Sequence, residues 1–160
     1  MTITMRAVRS WFVAIATVIL LTLLISPSPA AAQRARWEIV PGVFLTYNPR
    51  MWQLNTAMNQ LENIAAPGCA LSQNAGRGIP DDWKVRETRI RRGTHSLIRK
   101  TYYDARWQVQ FAVYRYTRPT NLGYLNSEGV LLTPPNALRL WSMCRSAAEF
   151  VLATAKREGG

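Results

Sequence analysis

The stretch from Trp83 to Tyr116 limits the possible folds more than any other part of this chain. Trp83 to Arg92 sets Trp83, Val85 and Ile90 among charges, and Gly93-Thr94 follows as a turn signal. His95 to Tyr103 reads as a second strand with Leu97 or Ile98 inward, and Asp104-Ala105-Arg106 turns the chain again. Trp107, Val109, Phe111 and Val113 then alternate with Gln108, Gln110 and Ala112, the period of two of a pleated strand. Strands joined by such short turns pair as antiparallel neighbours. Residues 83–116 are therefore expected to form a three-stranded antiparallel meander.

The flanking segments supply further elements. Arg36 to Tyr47 places two apolar runs either side of Pro41-Gly42, the pattern of a hairpin or bent strand. Leu54, Met58, Leu61 and Ile64 recur at helical spacing, which predicts a short helix over 51–60, with strand character toward Ile64. Cys69 to Gln73 alternates as a strand, and Asn74 to Asp82 is loop-like in composition. Thr117 to Asn136 reads as a long irregular segment with a short edge strand at Val130-Leu131-Leu132. A terminal helix over 136–157 is marked by Asn136 as N-cap after Pro134-Pro135. Its apolar stripe is Ala137, Leu140, Trp141, Cys144, Ala148, Val151 and Ala155, with Lys156 and Arg157 at its end. The architecture expected is α+β: an antiparallel sheet with this helix packed on one face.

The N-terminus carries Arg6 and Arg9, an uncharged run from Trp11 to Ile25, and then Ala30-Ala31-Ala32. A positive end, a short apolar core and small residues at the cleavage position are the parts of a secretory signal. Residues 1–32 are expected to be cleaved, leaving one domain over 33–160 in the periplasm or outside the cell. The alternative is an N-terminal membrane anchor, for which the apolar run falls short of the roughly 20 residues a span needs. In an exported chain the two cysteines, Cys69 and Cys144, are expected to pair.

Charge bears on partners. Both leader arginines lie before residue 33 and all nine acids lie after it, so the formal charge of +11 for the chain leaves +9 on residues 33–160. Most of the cations are Arg, whose planar fork suits carboxylates and phosphates. Lys84 to Arg118 concentrates them, with Tyr102, Tyr103, Trp107, Tyr114 and Tyr116 interleaved. Alternate residues of a strand share a face, so a basic, aromatic-studded platform is expected there. Its candidate binding residues are Arg89, Arg91, Arg92, Arg99, Lys100, Tyr102, Trp107 and Arg115. An anionic surface or an acidic protein is the implied partner, peripheral membrane contact included; export argues against nucleic acid. The competing reading is a solvated outer face that serves solubility alone.

Signals for catalysis are sparse. His95 is the single histidine, beside a turn, and reads as a surface residue; Asp81, Asp82 and Glu87 are the acids nearest it in the chain. No nucleophile elbow, phosphate loop or metal-ligand spacing occurs, so no catalytic residue, metal ligand or cofactor is assigned.

In layout the chain resembles the PsbP-like family of small exported α+β domains, in which an antiparallel sheet carries flanking helices. The corresponding segments are YNPRMW near the start, the strand WQVQFAVYRY and the closing helix RSAAEFVLATAK, so that the likeness in element order spans most of residues 37–157. The resemblance implies a non-catalytic accessory or assembly role at an extracytoplasmic membrane surface. No site motif of the family occurs here, so no functional residue is carried over. The leading expectation is thus an exported, non-enzymatic binding or accessory domain. The alternatives are a small secreted envelope-polymer hydrolase and a protein-interaction or inhibitor-like module using the 117–136 loop.

Overall fold

Trp37 and Ile39 alternate with Arg36 and Glu38, and the chain reverses at Pro41-Gly42, so that Trp37 lies opposite Leu45 across a hairpin of β1 (Ala35–Val40) and β2 (Val43–Tyr47). The computed structural model describes residues 33–117 and 121–159. The expected leader, residues 1–32, and Arg118 of the basic stretch lie outside the described residues.

Eight further strands follow: β3 (Trp52–Asn55), β4 (Gln60–Asn63), β5 (Ala70–Gln73), β6 (Lys84–Arg92), β7 (His95–Tyr103), β8 (Val109–Tyr116), β9 (Val130–Thr133) and β10 (Lys156–Arg157). The helices are α1 (Tyr124–Ser127) and α2 (Trp141–Leu152), with a 3-10 turn at Leu138–Leu140 leading into α2. The strands form a three-stranded sheet, β1-β2-β10, and a seven-stranded sheet, β3-β4-β5-β9-β8-β7-β6, every pairing antiparallel. The fold is α+β, and β6-β7-β8 is the meander expected from the sequence.

One core joins these layers. The small sheet contributes Trp37, Ile39, Val43 and Leu45; the large sheet contributes Leu61, Leu71, Leu97, Tyr114 and Leu132; α2 contributes Cys144, Ala148, Val151 and Leu152. Cys69, just ahead of β5, is disulfide-bonded to Cys144 on α2, with the two Cα atoms 6.0 Å apart and both side chains fully buried. Around this bond the backbone is crowded. The Asn136 N–H donates to Pro67 O at 2.8 Å, and Thr133 Oγ1 donates to Gly68 O at 2.9 Å. Gly68 adopts φ +91°, and a Cβ there would stand 2.5 Å from Asn136 Oδ1, so glycine is required on both counts.

Four expectations need correction. The helix expected over 51–60 is the β3–β4 hairpin: Leu54 and Leu61 face the core together because they are cross-strand partners, not because they lie on one helical stripe. Asn59, at φ 46°, makes the turn and accepts a hydrogen bond from Trp37 Nε1 at 2.9 Å, while Met58 and Ile64 are exposed. The strand at 130–133 is not an edge. It lies between β5 and β8, and Val130, Leu131 and Leu132 are all buried. The 117–136 segment is correspondingly less irregular than expected, since Leu122 and Leu125 enter the core. The terminal helix covers 141–152 rather than 136–157. Asn136 is bonded to Pro67 instead of capping, and Leu140 holds the N-cap position without a side-chain bond. At the other end Thr154 Oγ1 donates to Val151 O at 2.6 Å and accepts from the Thr46 N–H at 2.7 Å. These bonds turn the chain out of the helix and lay Lys156 opposite Phe44 in β10.

Candidate functional site

Strand register decides which basic residues share a surface. Across β6, β7 and β8 one set of rows is Arg92–His95, Ile90–Leu97–Tyr116, Thr88–Arg99–Tyr114 and Arg86–Thr101–Ala112. This face turns toward α2, as the burial of Leu97, Arg99, Thr101, Ala112, Tyr114 and Tyr116 shows. The opposite rows are Arg91–Ser96, Arg89–Ile98–Arg115, Glu87–Lys100–Val113 and Val85–Tyr102–Phe111.

The expected binding set is therefore divided. Arg89, Arg91, Lys100, Tyr102 and Arg115 share the outer face. Arg92 and Arg99 belong to the inner one and are engaged there. Arg99 Nη1 lies 2.6 Å from Glu149 Oε1 of α2, with both side chains nearly buried, and Arg92 Nη2 lies 3.4 Å from Glu149 Oε2. The Tyr114 hydroxyl donates to Glu149 Oε1 at 3.1 Å. Burial pushes the Tyr114 hydroxyl well above the usual tyrosine range, and the Glu149 charge adds to that; burial alone does the same for Tyr116. This cluster welds α2 to the meander. The sequence carried a signal for it: Arg99 falls between Leu97 and Thr101 on the inward register of β7, and a charge there demands a buried counter-ion.

Trp107 is also displaced from its expected place. Strand β8 begins only at Val109, after an irregularity between Tyr102 and Tyr103. Trp107 sits at φ 62° in the turn before it, exposed, beside Tyr103 and with Lys84 Nζ 4.5 Å from its ring centre. Asp104 organises that turn, its Oδ1 accepting from the Arg106 and Gln108 N–H groups at 2.9 Å each.

The outer face grades from cationic to apolar. At one end a groove of about 500 Å³ takes in Arg89, Arg91, Ser96 and Ile98 of this face, Thr117, and Ile90 and Leu97 of the inner rows. Beside it, Asn74, Glu87, Lys100, Tyr102, Val113 and Arg115 line a smaller hollow of about 170 Å³. Beyond that Phe111, Val113 and Leu131 form a second small core under Trp83 and Tyr102. Trp83 and Tyr102 pack against Phe111 at centroid distances of 5.9 and 4.7 Å, and the Arg77 guanidinium lies 5.8 Å from the Phe111 ring. Lys100 is 3.9 Å from Glu87, a solvated pair of small energetic weight. No carboxylate among the described residues is within ion-pair distance of Arg89, Arg91 or Arg115.

The residues weighed for catalysis do not converge. His95 is half-buried rather than a surface residue: its Nε2–H donates to Ala155 O at 3.0 Å, and its ring stands edge-on to Tyr116 at 5.3 Å. It faces inward, whereas Glu87 belongs to the outer face and Asp81 and Asp82 are exposed in the preceding loop. Among the described residues no group of His, Cys, Asp and Glu has the makings of a metal site, and no helix is long and apolar enough to cross a membrane. No family model, curated protein or solved structure matches the chain.

Proposed function

We propose that the protein is an exported, non-enzymatic binding or accessory domain that docks an anionic partner through the outer face of the meander. The observation that carries this reading is a set of arginines with no ion-pair partner among the described residues. Arg89 and Arg115 flank Ile98 in one cross-strand row, and Arg91 follows Arg89 two residues along β6. Strand spacings put these positions roughly 7 to 10 Å apart, a separation suited to several anionic groups on one partner rather than to a single small ion. The apolar floor of Ile98 and the neighbouring Tyr102 lower the local dielectric, which strengthens such contacts. The buried disulfide supports an oxidising compartment, and the leader-like N-terminal sequence points the same way. The likeness in element order that the sequence bears to PsbP-like domains would imply an accessory role at an extracytoplasmic surface.

The test is a binding screen of the protein expressed as the full chain, against vesicles with and without anionic lipid and against a soluble polyanion, at low and at physiological salt. Saturable binding that persists at physiological salt and weakens in Arg89→Ser/Arg91→Ser/Arg115→Ser is expected. Binding unaffected by these changes, or absent even at low salt, would remove the outer face as a docking surface and leave its charge as a determinant of solubility.

A further inference from the structure

The seven-stranded sheet ends on β6, and that edge is unusual in three respects. It is nine residues long, whereas β3 at the opposite edge has four. Its pairing with β7 runs without a break through all nine positions, so no bulge twists the edge away. Its sequence, KVRETRIRR, holds no proline. Among the described residues β7 is the only element in more than marginal contact with it, and Val85, Arg86, Glu87, Arg89 and Arg91 are exposed. A long, regular, open edge offers a row of unpaired N–H and C=O groups, which folded proteins ordinarily blunt by shortening, bulges, proline or charge. Here only charge is used, and it is mostly of one sign: Lys84, Arg86, Arg89, Arg91 and Arg92 against the single Glu87.

We infer that this edge receives an extended acidic segment of another polypeptide, which adds to the sheet as a further strand beside β6. The cationic edge repels a second copy of itself, so self-pairing is disfavoured, and the same charge selects an acidic strand. The spacing agrees on both sides of the sheet. Arg89 and Arg91 project to the outer face two residues apart, and Arg86, with no ion pair among the described residues, projects to the inner one, whereas Arg92 is already held by Glu149. An extended peptide presents its alternate side chains with that same period, close to 7 Å. Acidic residues on such a peptide therefore meet arginine on both faces while its backbone satisfies the open edge, the mode of recognition in which main-chain bonds give affinity and alternate side chains give specificity. A membrane surface or a polyphosphate would match the charge but leave the backbone groups unpaired. The inference rests on the anionic-docking proposal and narrows it to one class of partner.

The experiment keeps the two separable. The full chain is titrated with a synthetic peptide of alternating glutamate and threonine matched to β6 in length, with the same peptide N-methylated at alternate residues, and with inorganic polyphosphate. Amide hydrogen exchange is read residue by residue. The expected result is protection of alternate β6 amides by the plain peptide, and at least about tenfold weaker binding of the N-methylated one through loss of two or more backbone hydrogen bonds. Equal binding of both peptides with no new protection of β6 would overturn strand addition while leaving anionic docking in place. Failure of all three probes to bind at low salt would overturn both.

Discussion

Replacing Glu149 with Leu tests how α2 is held to the meander. Glu149 is 5% exposed, and its carboxylate is the counter-ion of Arg99 at 2.6 Å, the second contact of Arg92 at 3.4 Å and the acceptor for the Tyr114 hydroxyl. Arg99 is itself 9% exposed, so removing the acid strands a guanidinium where water cannot replace the lost partner. Breaking such a pair costs about 3–5 kcal/mol. At roughly 2.1 cal/mol/K per residue, a domain of this size has an unfolding entropy near 0.27 kcal/mol/K, so Tm is expected to fall by about 11–19 °C. Arg99→Leu alone costs less, because Glu149 keeps Arg92 and Tyr114. In the double variant no unpaired buried charge remains from this pair, and most of the loss is recovered, to within about 1–2 kcal/mol of the parent. Urea denaturation and thermal melts of the four proteins close the cycle. A Glu149→Leu variant within about 1 kcal/mol of the parent, or a double variant no better than it, would refute the assignment of Glu149 as a buried counter-ion.

Three other outcomes are expected. Cys144→Ala removes a cross-link spanning a sequence separation of 75 and lowers stability under oxidising conditions by about 4.5 kcal/mol on the chain-entropy account; denaturation of the parent with and without reductant should show a comparable gap, and no gap would argue that the bond does not form in solution. Tyr114 and Tyr116 have folded-state hydroxyls raised by burial, so their contribution is complete below the unfolded value of about 10 and is lost as pH climbs above it, at up to ~1.4 kcal/mol per pH unit for each; ultraviolet titration should show these two ionising only with unfolding, and a single reversible step for all six tyrosines with the fold intact would contradict it. Gly129 adopts φ +82° with its absent Cβ directed straight at Tyr114 O, whereas Gly93 at φ +56° has open space around it; Gly129→Ala should cost at least about 2 kcal/mol and Gly93→Ala about 1, and equal shifts in urea midpoint would show that the steric contact is relieved.

Where the pattern of single residues sufficed, the sequence was informative. The period-two run and the turns at Gly93-Thr94 and Asp104-Arg106 marked β6-β7-β8, and the two cysteines left one possible intrachain pairing. Legibility failed where a long-range contact decided the outcome. Leu54 and Leu61 are seven residues apart, which suits a helix, but hairpin register makes them partners as well. Val130-Leu131-Leu132 looked like an edge because nothing local says that β5 and β8 will pair on either side of it. The terminal helix ended early because Thr154 finds Thr46 and Lys156 finds Phe44, far away in the chain. The candidate face was half legible for the same reason. A basic stretch is visible as composition, and adjacent Arg91 and Arg92 must point apart on a strand, but which of them faces outward is decided by register. Arg92 and Arg99 proved to belong with Glu149, on the other side of the sheet from Arg89, Arg91 and Arg115.

The pairing of β10 with β2 sets an order on how the molecule is completed. Ribosomes deliver a chain from its N-terminus, and β1 and β2 are the first described strands to emerge. The outer side of β2 stays open until Lys156 and Arg157, more than a hundred residues later in the chain, arrive to close it. The partner thiol of Cys69 likewise comes 75 residues later. Both closures join distant parts of the chain, the contacts that form slowly, so the small sheet and its covalent clasp are completed only after the intervening residues have been made. The small sheet thus stays unsealed until all of residues 35–157 are available, and the molecule tightens from its latest-arriving strand.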